Sequence, residues 1–164
     1  MACEFASSFA SVYRTCSLGL PFPHQVSQSR ISDIVITSAQ VEQTLASLDG
    51  SSSMGSDNLH PYFLKMCATS LAHPLAMIFE CSLSEMSLPV LWKESVIVPI
   101  YKKGKRQDAL NYRPISLTSV CCKALERIIS KHLTEYLESN SVLSDEQFGF
   151  RAGRSTEDQL VLTY

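Results

Sequence analysis

Ser95-Val96-Ile97-Val98-Pro99-Ile100-Tyr101, the turn Lys102-Lys103-Gly104-Lys105 and the return Tyr112-Arg113-Pro114-Ile115-Ser116-Leu117-Thr118 decide how this chain is organised. A short β-branched run stopped by a polar, glycine-containing turn predicts a strand, and the second run predicts its antiparallel partner. Pro99 and Pro114 each remove a ladder donor, so an edge position or a bulge is expected. Immediately downstream, Val120, Ala124, Ile128, Ile129, His132, Leu133, Tyr136 and Leu137 recur at spacings of three and four. That stripe predicts an amphipathic helix of about five turns ending at Ser139-Asn140.

Upstream, Pro61 and Pro74 each suit the first turn of a helix, and each precedes apolar residues, so two helices are expected, the second ending near Pro89. Thr37-Ser38-Ala39-Gln40 has the form of a capping box, followed by Val41, Leu45 and Leu48 at helical spacing before Asp49-Gly50 stops the run. Near the far end, Ser155-Thr156-Glu157-Asp158 offers an N-cap and an acidic first turn. The predicted class is α+β, mostly helical with one short β-hairpin.

Asp49 to Asn58 is rich in Gly and Ser and reads as a loop and as the boundary of the globular region. Residues 1–50 are accordingly expected to be a linker or extension with one short helix, and residues 51–164 the folded part. Met1 to Ser32, including Pro21-Phe22-Pro23, shows no sustained period. With 45% apolar and 18% charged residues the chain is long enough for one core. No apolar run approaches membrane-spanning length and no signal peptide opens the chain, so an intracellular protein with no membrane contact is expected, nucleus and cytoplasm not being distinguished. The six cysteines show no C-x-x-C spacing and the four histidines are dispersed, which argues for free thiols and against a metal site.

The net charge of −2 hides a local asymmetry. Residues 1–92 hold three bases and seven acids, hence −4, whereas residues 93–154 hold eleven bases and seven acids, hence +4. Lys102, Lys103, Lys105, Arg106 and Arg113 gather at one turn and its return strand, opposed only by Asp108. Arginine offers phosphate a planar fork and lysine a mobile point charge, so such a cluster can hold phosphate oxygens. On composition alone a solvated hairpin tip comes first. In Gln147-Phe148-Gly149-Phe150-Arg151-Ala152-Gly153-Arg154 the glycines would let a backbone approach a nucleic-acid strand, with an aromatic face for stacking and arginines for phosphates. A loop packed on the core by Phe148 and Phe150 is the competing reading.

In order along the chain, Leu88-Pro89-Val90-Leu91-Trp92-Lys93, Val98-Pro99-Ile100-Tyr101-Lys102-Lys103-Gly104, Asn111-Tyr112-Arg113-Pro114-Ile115-Ser116-Leu117 and Glu146-Gln147-Phe148-Gly149-Phe150-Arg151 resemble the fingers region of LINE-type, jockey-like non-LTR retrotransposon reverse transcriptases. Gly55-Ser56-Asp57-Asn58-Leu59-His60-Pro61 with Leu64-Lys65 is similar to the family's G-x-D-G-i-x-P segment, with Asn58 where Gly is usual. The resemblance covers residues 30 to 164.

It implies an incomplete fingers portion of a right-hand polymerase fold, truncated before the palm. Lys103 and Arg113, with Lys102 nearby, would hold the triphosphate of the incoming deoxynucleotide. Lys123 would contact phosphate or template. Gln147, Gly149, Phe150, Arg151 and Arg154 would lie along the template. The implied partners of the full-length protein are an RNA template, a DNA primer and deoxynucleotide triphosphates. Polymerase chemistry uses two divalent ions held by carboxylates, with Mg2+ expected of the full-length enzyme. The family's F-x-D and Y/F-x-D-D motifs do not occur here, so no catalytic residue, metal ligand or cofactor is assigned and the chain alone is expected to be inactive. Asp145, Glu146, Glu157 and Asp158 read as caps and helix first turns. Alternatives from other classes are a non-enzymatic nucleic-acid-binding module and an inactive mobile-element remnant.

Overall fold

Helix and hairpin signals place most elements before any tertiary contact is considered, and the computed structural model, which describes residues 2–12, 31 and 33–163, follows them closely. Among the described residues the elements follow in the order α1 (Ala2–Ala10), α2 (Ser38–Ala46), α3 (Pro61–Met66), α4 (Ala68–Ser84), β1 (Ser95–Tyr101), β2 (Tyr112–Thr118), α5 (Val120–Ser139) and α6 (Thr156–Thr163). The class is α+β. Two compact units are present, one drawn from Met1–Pro23 and Val35–Ile128, the other from His24–Ile34 and Ile129–Tyr164.

In the first unit, Thr37 accepts from the Gln40 amide and its own amide donates to the Gln40 side chain, the expected capping box of α2. Pro61 opens α3 where its missing N–H costs nothing. Pro74 behaves otherwise: it lies inside α4, which starts six residues earlier at Ala68 rather than at the proline. The reason is the buried stripe Ala68, Ala72, Leu75, Ala76 and Phe79, one continuous helical face that runs past Pro74. The proline faces solvent, and the lost bond to the Ser70 carbonyl is offset by that packing. The same helix ends at Ser84, short of Pro89.

Val41 and Leu45 of α2, Leu64 of α3, Phe79 of α4 and Cys121, Ala124, Leu125 and Ile128 of α5 form the core. Phe79 meets Trp92 edge to face at 5.7 Å. Polar ties finish the packing: Thr69 Oγ1 donates to Glu42 at 2.6 Å, Lys65 Nζ to the Leu48 carbonyl at 2.9 Å and Arg127 Nη1 to Ser47 Oγ at 3.2 Å. Buried Ser119 caps α5 by accepting from the Cys122 amide. Gly55 lies so close to the chain at Thr118 that a Cβ would sit 2.6 Å from the Ser119 nitrogen, which excludes any side chain there. Ser56 Oγ donates to the carbonyls of Leu91 and Glu94, fastening this loop to the start of β1.

The hairpin register runs unbroken from Ser95↔Thr118 to Tyr101↔Tyr112, so both prolines sit on edges and neither needs a bulge. The Lys102 amide donates to the Asn111 carbonyl at 2.8 Å, which fixes the alternation along the ladder. Pro99 and Pro114 therefore face each other at a non-hydrogen-bonded pair. Their missing donors would have pointed outward, so the ladder loses nothing and both outer edges are blunted against a further strand.

Residues 1–32, expected as a linker or extension, divide. Residues 13–30 and 32 lie outside the described residues, but Ala2–Ala10 is a helix. Its apolar signal is only Phe5 and Phe9 one turn apart, too short for a visible period. Tertiary contact supplies the rest: Phe5 meets Tyr112 at 4.8 Å, and α1 with Ile97 and Pro99 lines an apolar cavity of about 550 Å3.

In the second unit the last part of α5 reaches Ser139 as expected, and α6 begins at the predicted cap, with Ser155 Oγ accepting from the Asp158 amide at 3.1 Å. Residues 142–155 form a loop between them. Among the described residues no helix is long and apolar enough to cross a membrane.

Candidate nucleotide and nucleic-acid interface

The hairpin turn is built from below. Tyr101 and Tyr112 face each other across the last strand pair, rings 5.5 Å apart and edge to face. Tyr101 Oη donates to the Gly104 carbonyl at 2.5 Å, Asn111 Nδ2 to the Lys105 carbonyl at 3.0 Å and Tyr112 Oη to the Arg106 carbonyl at 3.0 Å. Gly104 takes φ +94°, a conformation that favours glycine, and its would-be Cβ meets the Asn111 side chain at 2.7 Å. Asp108 accepts from the Leu110 amide and so closes the turn instead of neutralising a base.

Lys102, Lys103, Lys105 and Arg113 are exposed and, among the described residues, make no ion pair. Arg113 pairs in register with Ile100, so it shares a strand face with Lys102. Arg106 lies over the Tyr101 ring at 5.3 Å. Lys102 and Arg113 thus share one face at the turn end of the hairpin, and Lys103 follows Lys102 in the turn. Lys123 belongs elsewhere: one turn before Arg127 on α5, it lines a cleft of about 180 Å3 with Asp49, Ser52 and Ser53.

In the second unit Arg151 is clamped. Its Nε donates to Glu138 Oε1 at 2.9 Å, its Nη2 to Glu138 Oε2 at 2.7 Å and its Nη1 to the Ser144 carbonyl at 2.9 Å. The side chain is 11% exposed. These hydrogen bonds hold the Glu138 carboxyl below its usual range despite partial desolvation. Arg154 pairs with Asp145 at 2.7 Å, also donates to the Asp145 carbonyl and stacks over Phe148 at 5.2 Å. Both arginines therefore fold the loop on itself. Gln147 and Gly149 are exposed, and a Cβ on Gly149 would meet nothing. Phe150 is fully solvent-exposed (107%) at φ +64°, so Phe148 and not Phe150 packs the loop.

Among the described residues no grouping of His, Cys, Asp or Glu could hold a metal ion. Asp145 is engaged by Arg154 and Asp158 by Ser155, so these two carboxylates do not fit the metal pair of polymerase chemistry. Burial, with the nearby Asp57 charge adding, pushes the Cys121 thiol up to about 11, leaving it inert.

Residues 100–163, which contain the turn, β2, α5 and the Phe150 loop, match the model of the reverse transcriptase (RNA-dependent DNA polymerase) family. The chain belongs to that family. It is similar to three polymerases of Drosophila melanogaster non-LTR mobile elements. The probable RNA-directed DNA polymerase from transposon BS is 35% identical over 122 residues, 74% of this chain and 14% of the relative. That from transposon X-element is 29% identical over 140 residues (83% and 15%), and that from mobile element jockey 31% over 126 (76% and 14%). The chain thus spans about one seventh of the length of these relatives.

Sequence reading missed Tyr101, Asn111 and Tyr112 as holders of the turn and Glu138 as the partner of Arg151. The tyrosines carried a signal, since they stand at matching ends of two runs that predict a hairpin. Glu138 carried none, being one of several acids thirteen or fewer residues from an arginine.

Proposed function

We propose that this chain is the fingers portion of an RNA-directed DNA polymerase of a jockey-like mobile element, gripping the triphosphate of the incoming deoxynucleotide at the hairpin turn and the RNA template at the Phe150 loop. The observation that carries the reading is the turn itself: Lys102, Lys103, Lys105 and Arg113, all within the family-matched residues, stand exposed and make no ion pair among the described residues. Unpaired bases on a rigid turn retain their full charge for phosphate oxygens, whereas a solvated surface mixes signs. Lys102, Lys103 and Arg113 take the triphosphate, and Lys123 with Arg127 takes a phosphate of the nucleic-acid backbone. In the second unit Gln147, Gly149 and Phe150 touch the template strand, Phe150 by stacking. Arg151 and Arg154 belong to the same surface by shaping it.

Mg2+, a DNA primer and the metal-binding motifs are features of the full-length polymerase in this reading. The expected behaviour of these 164 residues is binding without synthesis. Titration of the purified chain with a deoxynucleotide triphosphate at low salt, comparing wild type with a triple Lys102→Ala, Lys103→Ala, Arg113→Ala variant, tests the reading. Affinity should fall by about tenfold or more, with a shallower salt dependence. Equal affinity of the two proteins refutes the triphosphate assignment, and template-dependent primer extension with Mg2+ refutes the absence of synthesis.

A further inference from the structure

Phosphate recognition by a turn has two parts: donors must be present, and backbone carbonyl oxygens, which carry partial negative charge, must be kept from the anion. Three consecutive carbonyls of this turn, Gly104, Lys105 and Arg106, are each held by a side chain from the hairpin body: Tyr101, Asn111 and Tyr112. The Lys105 carbonyl also accepts from the Asp108 amide at 3.2 Å. By contrast the amides of residues 103 to 107 donate to no group among the described residues. Three successive acceptors at the middle of the turn are therefore tied back while its donors are left over, with four cationic side chains on the same short segment. At a solvated tip water would satisfy these carbonyls, so hydrogen-bond satisfaction alone does not call for three successive ties.

We infer that Tyr101, Asn111 and Tyr112 are positioning residues for triphosphate binding: they tie back the carbonyls of Gly104, Lys105 and Arg106, so that the backbone amides of residues 103–107, together with Lys102, Lys103 and Arg113, meet the phosphate oxygens without repulsion from those three acceptors. Phe5 of α1, edge to face on Tyr112 at 4.8 Å, braces the set from the α1 side of the hairpin. The inference rests on the triphosphate reading of the turn and adds to it which groups outside the basic cluster make that turn competent. Phosphate oxygens accept from backbone amides wherever successive N–H groups are left free, so a backbone contribution needs no further side chain.

The test uses the 164-residue chain, inorganic tripolyphosphate and a Tyr101→Phe/Tyr112→Phe variant, which keeps both rings and removes only the two hydroxyl donors. NMR reports whether the amides of 103–107 shift on titration and whether the carbonyl carbons of Gly104 and Arg106 shift on mutation. The expected result is a moved carbonyl signal, an unchanged thermal transition, an unchanged salt dependence and about tenfold weaker tripolyphosphate binding. A short single-stranded oligothymidylate should lose less, because a phosphodiester offers fewer free oxygens to the turn. Equal tripolyphosphate affinity of wild type and variant overturns the inference while leaving the triphosphate reading intact. A larger loss for the oligothymidylate than for tripolyphosphate also overturns it. Absence of tripolyphosphate binding by the wild type overturns the reading beneath it, and unmoved carbonyl signals refute the ties themselves. Should the double variant lose its hairpin, Tyr101→Phe alone repeats the comparison.

Discussion

Two residues with positive φ show how the same backbone cost has different meanings. Asn58, at φ +57°, stands where the family usually has Gly, and the left-handed region is where Gly is free of strain and Asn the next most tolerant residue. The departure from the family pattern is thus conservative in backbone terms. Phe150 has no such excuse: at φ +64° it is strained, and fully exposed it gains no packing in return. Arg151 on Glu138 and Arg154 on Asp145 hold the loop that keeps it so. Strain kept without local reward fits a side chain reserved for a ligand. Phe150→Gly should therefore stabilise the chain by about 1 kcal/mol in denaturant unfolding. The same change should weaken single-stranded RNA binding by roughly fivefold or more through lost stacking. Loss of stability with unchanged RNA affinity would show that Phe150 is structural.

Among the elements, α4 and the hairpin carry prolines to opposite effect. Pro99 and Pro114 cost the ladder nothing because they occupy a facing non-hydrogen-bonded pair. Pro74 removes a helical hydrogen bond from the interior of α4, and its ring is exposed and so gains little burial in return. Pro74→Ala is expected to raise the unfolding free energy by about 1–3 kcal/mol, read as a higher denaturant midpoint at constant slope. A lower midpoint would mean that the proline stabilises α4 by a contact outside the helix ladder. The helix tolerates the proline because the stripe from Ala68 to Phe79 is buried as a unit, a fact about the neighbouring α2 and not about α4's own residues.

At the scale of the molecule, one face of the hairpin meets α1 across a partly open cavity while the other shows Val96, Val98, Ile100 and Ile115 to solvent. These four share a face by strand alternation, so they form one apolar patch beside Arg113. The isolated chain should self-associate as concentration rises, and Ile100→Lys with Ile115→Lys should suppress the association in light scattering. A monodisperse wild-type monomer at high concentration would contradict this. The basic charge is likewise regional: +4 over residues 93–154 within a chain of net −2. Anion binding is for that reason a property of the turn and its surroundings, steeply screened by salt, and not of the protein's overall field.

The amino-acid sequence by itself determined β1, β2 and α5 to the residue, the caps at Thr37 and Ser155, and the family. Each of these rests on signals within a few residues: strand alternation, three-and-four spacing, a hydroxyl three positions before its amide partner, motifs in fixed order. The basic turn with Lys102, Lys103 and Arg113 was legible for the same reason, because a hairpin brings its two ends together by construction. Tertiary structure alone decided that Ala2–Ala10 is a helix, that α4 runs through Pro74, that Lys123 faces a separate cleft, and that Arg151 is spent on Glu138. It also decided that Tyr101, Asn111 and Tyr112 hold the turn's carbonyls. Burial and side-chain pairing depend on which surfaces meet, and a short apolar stripe or a lone arginine fits many partners until the packing of the remaining chain selects one.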